Sequence, residues 1–206
     1  MNTRILTNSR RIGAAVATAL LLTTWGASAS ASQKHISFDM QVSKGAKACL
    51  PHASADVRIV SDGTAEDMYI AAEGLPPNTD FDFFVIQVPT APFGLSWYQG
   101  DVETDEYGRA FQHFRGRFNI ETFVVAPGVA PAPVVFEGPF PDASENPATN
   151  PVQMYHLGMW FNSPEDAQKH GCPATVTPFN GEHNAGIQVL NTANFPEEAG
   201  PLRKLK

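Results

Sequence analysis

Short runs of β-branched and aromatic residues, each soon closed by glycine, proline, asparagine or aspartate, constrain this chain more than any other feature. They recur at 35–43, 55–60, 67–72, 80–88, 95–101, 109–115, 118–125, 152–161, 175–179 and 186–191. The first alternates cleanly, with Ile36, Phe38, Met40 and Val42 on one pleat face. The fourth, from Asp80 to Val88, is apolar enough to predict a central strand. Ser61-Asp62-Gly63-Thr64 reads as a tight turn, and Thr104–Gly108 as a hairpin loop with glycine at its left-handed position. One helix is predicted near 164–170: Ser163 caps it, Pro164 opens it, Glu165 and Asp166 fill its first turn, and Gly171 follows its end. Many short strands without alternating long helices predict an all-β fold, an antiparallel β-sandwich or barrel, the sandwich being preferred.

Residues 1–31 stand apart from that pattern. Arg4, Arg10 and Arg11 precede an apolar run from Ile12 to Trp25, which is too short to span a bilayer comfortably. Two A-x-A sites follow, Ala27-Ser28-Ala29 and Ala29-Ser30-Ala31. This is the pattern of a cleaved signal peptide, so a secreted protein is expected. Ser9-Arg10-Arg11 echoes a twin-arginine leader, but Gly13 stands where a hydrophobic residue belongs, so the general route is preferred. The rest, 32–200, reads as one β-sandwich domain, with a frayed basic tail at 201–206 and no membrane anchor. Removing the three leader arginines takes the formal net charge from −7 to −10, which argues against a nucleic-acid partner.

The two cysteines, Cys49 and Cys172, both follow the leader. Outside the cytoplasm such a pair is expected to oxidise; two buried thiols or a metal site are the other readings. The closed loop would span about 120 residues and contribute roughly 4–5 kcal/mol through chain entropy. Between Ala126 and Pro151 the chain carries seven prolines and reads as a long surface loop, with Val134–Phe136 a short edge strand inside it.

Leu75, Pro77, Thr79 and Phe81 share their spacing with the segment before a late strand of fibronectin type III and immunoglobulin-like domains. Phe81 replaces the tyrosine usual there, so the hydrogen-bonded corner of that family is not implied. Together with the Thr104–Gly108 hairpin, Gly74–Phe81 resembles segments of uncharacterised secreted bacterial β-sandwich proteins. The resemblance implies a fold and leaves function open.

No nucleotide loop, zinc-protease helix or serine-nucleophile motif occurs. His156 lies inside an apolar strand, on the face of Gly158 and Trp160, and Glu182-His183 lies in a loop before the last strand. Were those strands neighbours, His156, His183 and Glu182 could hold zinc or copper, or act as acid and base. No sequence spacing ties them together, so no cofactor is predicted. Asp80 and Asp82 share a strand face, and Asp101, Glu103, Asp105 and Glu106 cluster near one hairpin. Paired carboxylates suit glycoside hydrolysis or calcium, and they also suit a solvated strand. Trp97 and Tyr98 are the candidate binding surface, with Tyr155 and Trp160 as further aromatics. The expectation is a secreted non-catalytic module that binds a protein or polysaccharide surface. The alternative is a secreted hydrolase or metal-dependent enzyme using His156, Glu182 and His183.

Overall fold

The computed structural model describes residues 34–119, 123–127, 149–178, 183–197 and 199–205. Ala31–Lys206 form one compact unit. The leader and Val134–Phe136 lie outside the described residues.

Among the described residues ten strands follow one another: β1 (Lys34–Val42), β2 (Ser54–Ser61), β3 (Glu66–Glu73), β4 (Asp80–Ile86), β5 (Ser96–Glu103), β6 (Ala110–Gly116), β7 (Phe123–Pro127), β8 (Thr149–Gln153), β9 (His156–Phe161) and β10 (Gln188–Asn191). Eight of them form a single antiparallel sheet in the order β5-β4-β9-β10-β1-β2-β3-β6, while β7 and β8 pair separately. The fold is therefore mostly β and antiparallel, as expected. The edge strands β5 and β6 approach one another, with the Phe114 ring packed against the backbone of Gly100.

Strand alternation builds the main core. Phe38 and Met40 of β1, Val57 and Ile59 of β2, and Met68 and Ile70 of β3 point inward. Phe81, Phe83 and Val85 of β4 meet Leu157, Met159 and Phe161 of β9 there. Burying each such side chain stabilises the fold by about 1.5–3 kcal/mol. The segment 152–161, expected as one strand, divides at Met154-Tyr155: Gln153 ends the pairing with β7 and His156 begins the pairing with β4. Of the expected strand at 175–179, the described residues 175–178 show one isolated bridge, Thr177 to Ala185.

The helix α1 spans Pro164–Lys169, and the Ser163 hydroxyl accepts from the Asp166 N–H at its start. The Cys49–Cys172 disulfide ties the turn after β1 to the chain just beyond α1, across a sequence separation of 123. The frayed tail is corrected: Pro201–Lys204 form a 3-10 helix, and Leu202 and Leu205 are buried in the main core. The basic residues Arg203 and Lys204 remain exposed, and the apolar residues around them do the anchoring. Among the described residues no helix is long and apolar enough to cross a membrane.

Antiparallel sheets commonly leave one face to water. Here β9 and β10 are buried at every position and β4 at all but Asp80. Their outer face is covered by the loop 87–95 between β4 and β5 and by the segment leading into β10. That covered outer face holds the candidate site.

Candidate functional site

Sheet register places Asp101, Asp82, Trp160 and Gln188 in one row across β5, β4, β9 and β10. Tyr98, Phe84 and Gly158 form the adjoining row. A β-bulge in β5 sets Tyr98 of the second row on the face of the first. Phe83 faces Gly100 while Phe84 faces Tyr98, so Gln99 is the extra residue. The bulge shifts the side-chain alternation by one. Tyr98 and Asp101 therefore share a face, and the Tyr98 hydroxyl donates to the Asp101 carboxylate.

Gly158 gives the row its aromatic floor. The Trp160 indole lies back over it, so that a Cβ at Gly158 would sit 2.4 Å from Cζ3 and 2.6 Å from Cη2. Phe84 and Phe93 both stand nearly perpendicular to that indole, at ring-centre distances of 5.3 and 5.1 Å. Phe93 reaches it from the loop 87–95, where it holds φ +61° beside Gly94 at φ +66°. An aromatic residue in the left-handed region is strained, and such strain persists only where surrounding contacts hold it. Gln188 supplies one of these, donating from Nε2 to the Pro89 carbonyl at 3.1 Å. The three rings, with Pro92 and Pro178, line a cleft of about 110 Å³.

Beside this cleft the charged groups are mainly acidic. Asp82 is 3% exposed, and burial pushes its carboxyl up to about 7, with Asp101 and Asp80 adding like-charge repulsion and His183 opposing them. Burial raises Asp80 as well, followed by the charges of Asp101 and Glu103. Tyr98 is raised by burial and then by its bond to Asp101. Three buried polar atoms have no hydrogen-bond partner among the described residues: Asp80 Oδ1, Asp82 Oδ2 and Trp160 Nε1. All three belong to this one stretch of β4 and β9.

The histidine pair is placed differently. His156 is fully buried at the start of β9. Its Nε2 meets the Glu197 carbonyl and its Nδ1 the Thr192 hydroxyl, each at 2.9 Å. A carbonyl only accepts, so Nε2 carries the proton and Nδ1 accepts from Thr192. Burial lowers its pKa, against the pull of these bonds. His183 is exposed and bonds Asn162 at 2.7 Å, just past the other end of β9. The two histidines are thus separated by about 20 Å of strand and do not converge. Glu182 lies outside the described residues. Among the described residues no three of His, Cys, Asp and Glu converge to hold a metal ion.

Trp97 and Tyr98 are 56% and 48% exposed, but they point to opposite sides of β5. Trp97 shares the side of Val85, and Tyr98 that of Phe84, against whose ring it packs at 5.4 Å. Asp105 accepts the backbone N–H groups of Tyr107 and Arg109 and so shapes the hairpin tip, while Glu103 and Glu106 face solvent. A second aromatic strip, Tyr69 stacked between Phe111 and His113, lies on the outer face of β3 and β6. Sequence reasoning placed Asp82 on the right strand face but did not join it to Trp160, Phe84 and Phe93. One signal was available. Neither 59–108, 118–168 nor 170–202 contains a lysine or arginine, and these stretches supply the whole cleft and its rim.

Neither the family models nor the curated proteins match this chain, so the site has to be read from its own residues.

Proposed function

We propose that the chain is exported by its leader and acts as a non-catalytic binding module, with its ligand site on the outer face of β4, β5 and β9. The A-x-A sites, the Cys49–Cys172 bond and the resemblance to secreted bacterial β-sandwich proteins support export. The observation that carries the binding reading is the trio of orphan polar atoms beside an aromatic cleft. Leaving a buried donor or acceptor unmade costs about 1–3 kcal/mol. Three such atoms on one strand pair, in a fold that satisfies Glu66, His156 and Gln188 with care, mark a place awaiting an external partner. Small-ligand sites are concave, mostly apolar and carry a few polar groups. Trp160, Phe84 and Phe93 line such a cleft, and Asp82 stands next to it, opposite Trp160 on β4.

Chemical-shift mapping of the exported, disulfide-bonded protein against a fragment library tests the reading. Fragments should perturb the Trp160 indole N–H and the neighbouring residues of β4 and the loop 87–95. Perturbations confined to Trp97, or to Tyr69 and Phe111, would move the site elsewhere.

A further inference from the structure

We infer that the group bound in this cleft is an organic cation of the trimethylammonium class, seated against Trp160, Phe84 and Phe93 with Asp82 as its counter-charge. The inference rests on the binding reading above and names its ligand chemistry.

Three observations carry it. Aromatic faces attract a cation through their quadrupole, tryptophan most strongly, and a methylated ammonium is apolar enough to enter such a cleft. Trp160 packs edge-to-face with Phe84 and Phe93, the three rings line the cleft together, and about 110 Å³ suits a compact group rather than a polymer segment. The charge around it is predominantly acidic: Asp80 and Asp82 from β4 and Asp101 from β5, with no lysine or arginine in any segment that builds the cleft and His183 as the titratable base acting on Asp82. An anion would find no lysine or arginine there. A bare metal ion wants several converging oxygens, whereas the walls are aromatic and no such group converges among the described residues. The orphan atoms are an acceptor on Asp82 and a donor on Trp160. A hydroxyl close to the cation can serve both.

Affinity should follow pH. The groups acting on Asp82 are Asp80 on its own strand, Asp101 from β5 and His183 from the segment before β10; Tyr98 of β5 bonds Asp101, and β9 presents the uncharged Trp160. A bound cation favours ionised Asp82, so binding tightens as pH rises from about 6 to 8 and releases a proton.

The test is titration of the full exported protein with choline, with 3,3-dimethylbutanol as its uncharged isostere, and with potassium chloride at matched ionic strength, following the Trp160 indole N–H. Choline should give a saturable shift, and the isostere should bind weaker by a factor on the order of 10. Potassium chloride should give no saturable shift. Asp82→Asn should weaken choline and flatten the pH rise, and Phe93→Ala, which removes one wall of the cleft, should weaken it while leaving the main core between the other strands intact. Equal binding of choline and the isostere overturns the cation and leaves the site intact. Silence with choline while other fragments shift Trp160 does the same. If no fragment shifts Trp160, the site reading fails and the inference falls with it.

Discussion

Asp82 and Trp160 stand directly opposite one another on β4 and β9, each 3% exposed and each keeping one polar atom without a partner among the described residues. A carboxylate and an indole so placed are costly to the fold. Their cost gives the first prediction its sign.

Asp82 holds its proton to about pH 7 in the folded chain, against about 4 when unfolded. Between those values the native state binds the extra proton, so stability falls as pH rises through the window. Asp82→Asn removes that dependence. Denaturant unfolding should find the variant more stable than the parent by on the order of 2–4 kcal/mol at pH 8, with the gap closing near pH 4. An equal gap at both values would show that Asp82 titrates normally.

His156 behaves in the opposite sense. Its folded pKa is lowered by burial, so its contribution is present above about 6.5 and is lost as pH falls through the lowered value. His156→Ala leaves the Thr192 hydroxyl and the Glu197 carbonyl unpaired and opens a void. A loss of about 2–4 kcal/mol at pH 8 is expected, with ligand shifts at Trp160 unchanged. Lost ligand binding in a folded variant would return His156 to the candidate site.

Gly158→Ala should collapse the aromatic floor. The new methyl would meet Cζ3 and Cη2 of Trp160 well inside contact distance, and the indole has to move. A loss of about 1–3 kcal/mol should accompany a changed Trp160 fluorescence. Unaltered emission and melting would mean that the ring does not rest on Gly158.

Cys172→Ser opens the loop that joins β1 to α1. Unfolding in the absence of reductant should show a loss of about 2–5 kcal/mol. Labelling of the denatured, unreduced parent should find no free thiol at Cys49 or Cys172.

Most strands were legible because they alternate locally, as β1 to β3 do, or are short apolar runs, as β4 is, with turn residues such as Ser61–Thr64 and Gly108 between them. The disulfide was legible because only one pairing exists. The split between β8 and β9 was not, since Met154-Tyr155 contains no breaker and the division comes from a change of partner strand. The buried end at Leu202 and Leu205 was hidden by the lysines and arginine around it. Asp80 and Asp82 could be set on one face from period alone. Period does not say that β9, over 70 residues later in the chain, inserts beside β4 and brings Trp160 against Asp82. Nor does it reveal the bulge that turns Tyr98 and Asp101 to the same side.

The most direct measurement is a crystal structure of the disulfide-bonded protein soaked with a mixture of small fragments that includes choline. A molecule seated in the cleft between Trp160, Phe84 and Phe93, with Asp82 Oδ2 or Trp160 Nε1 hydrogen-bonded to it, is the predicted result. An empty cleft with fragments bound at Trp97 or along Tyr69 and Phe111, or Asp82 and Trp160 satisfied by other groups of the chain, would contradict the account.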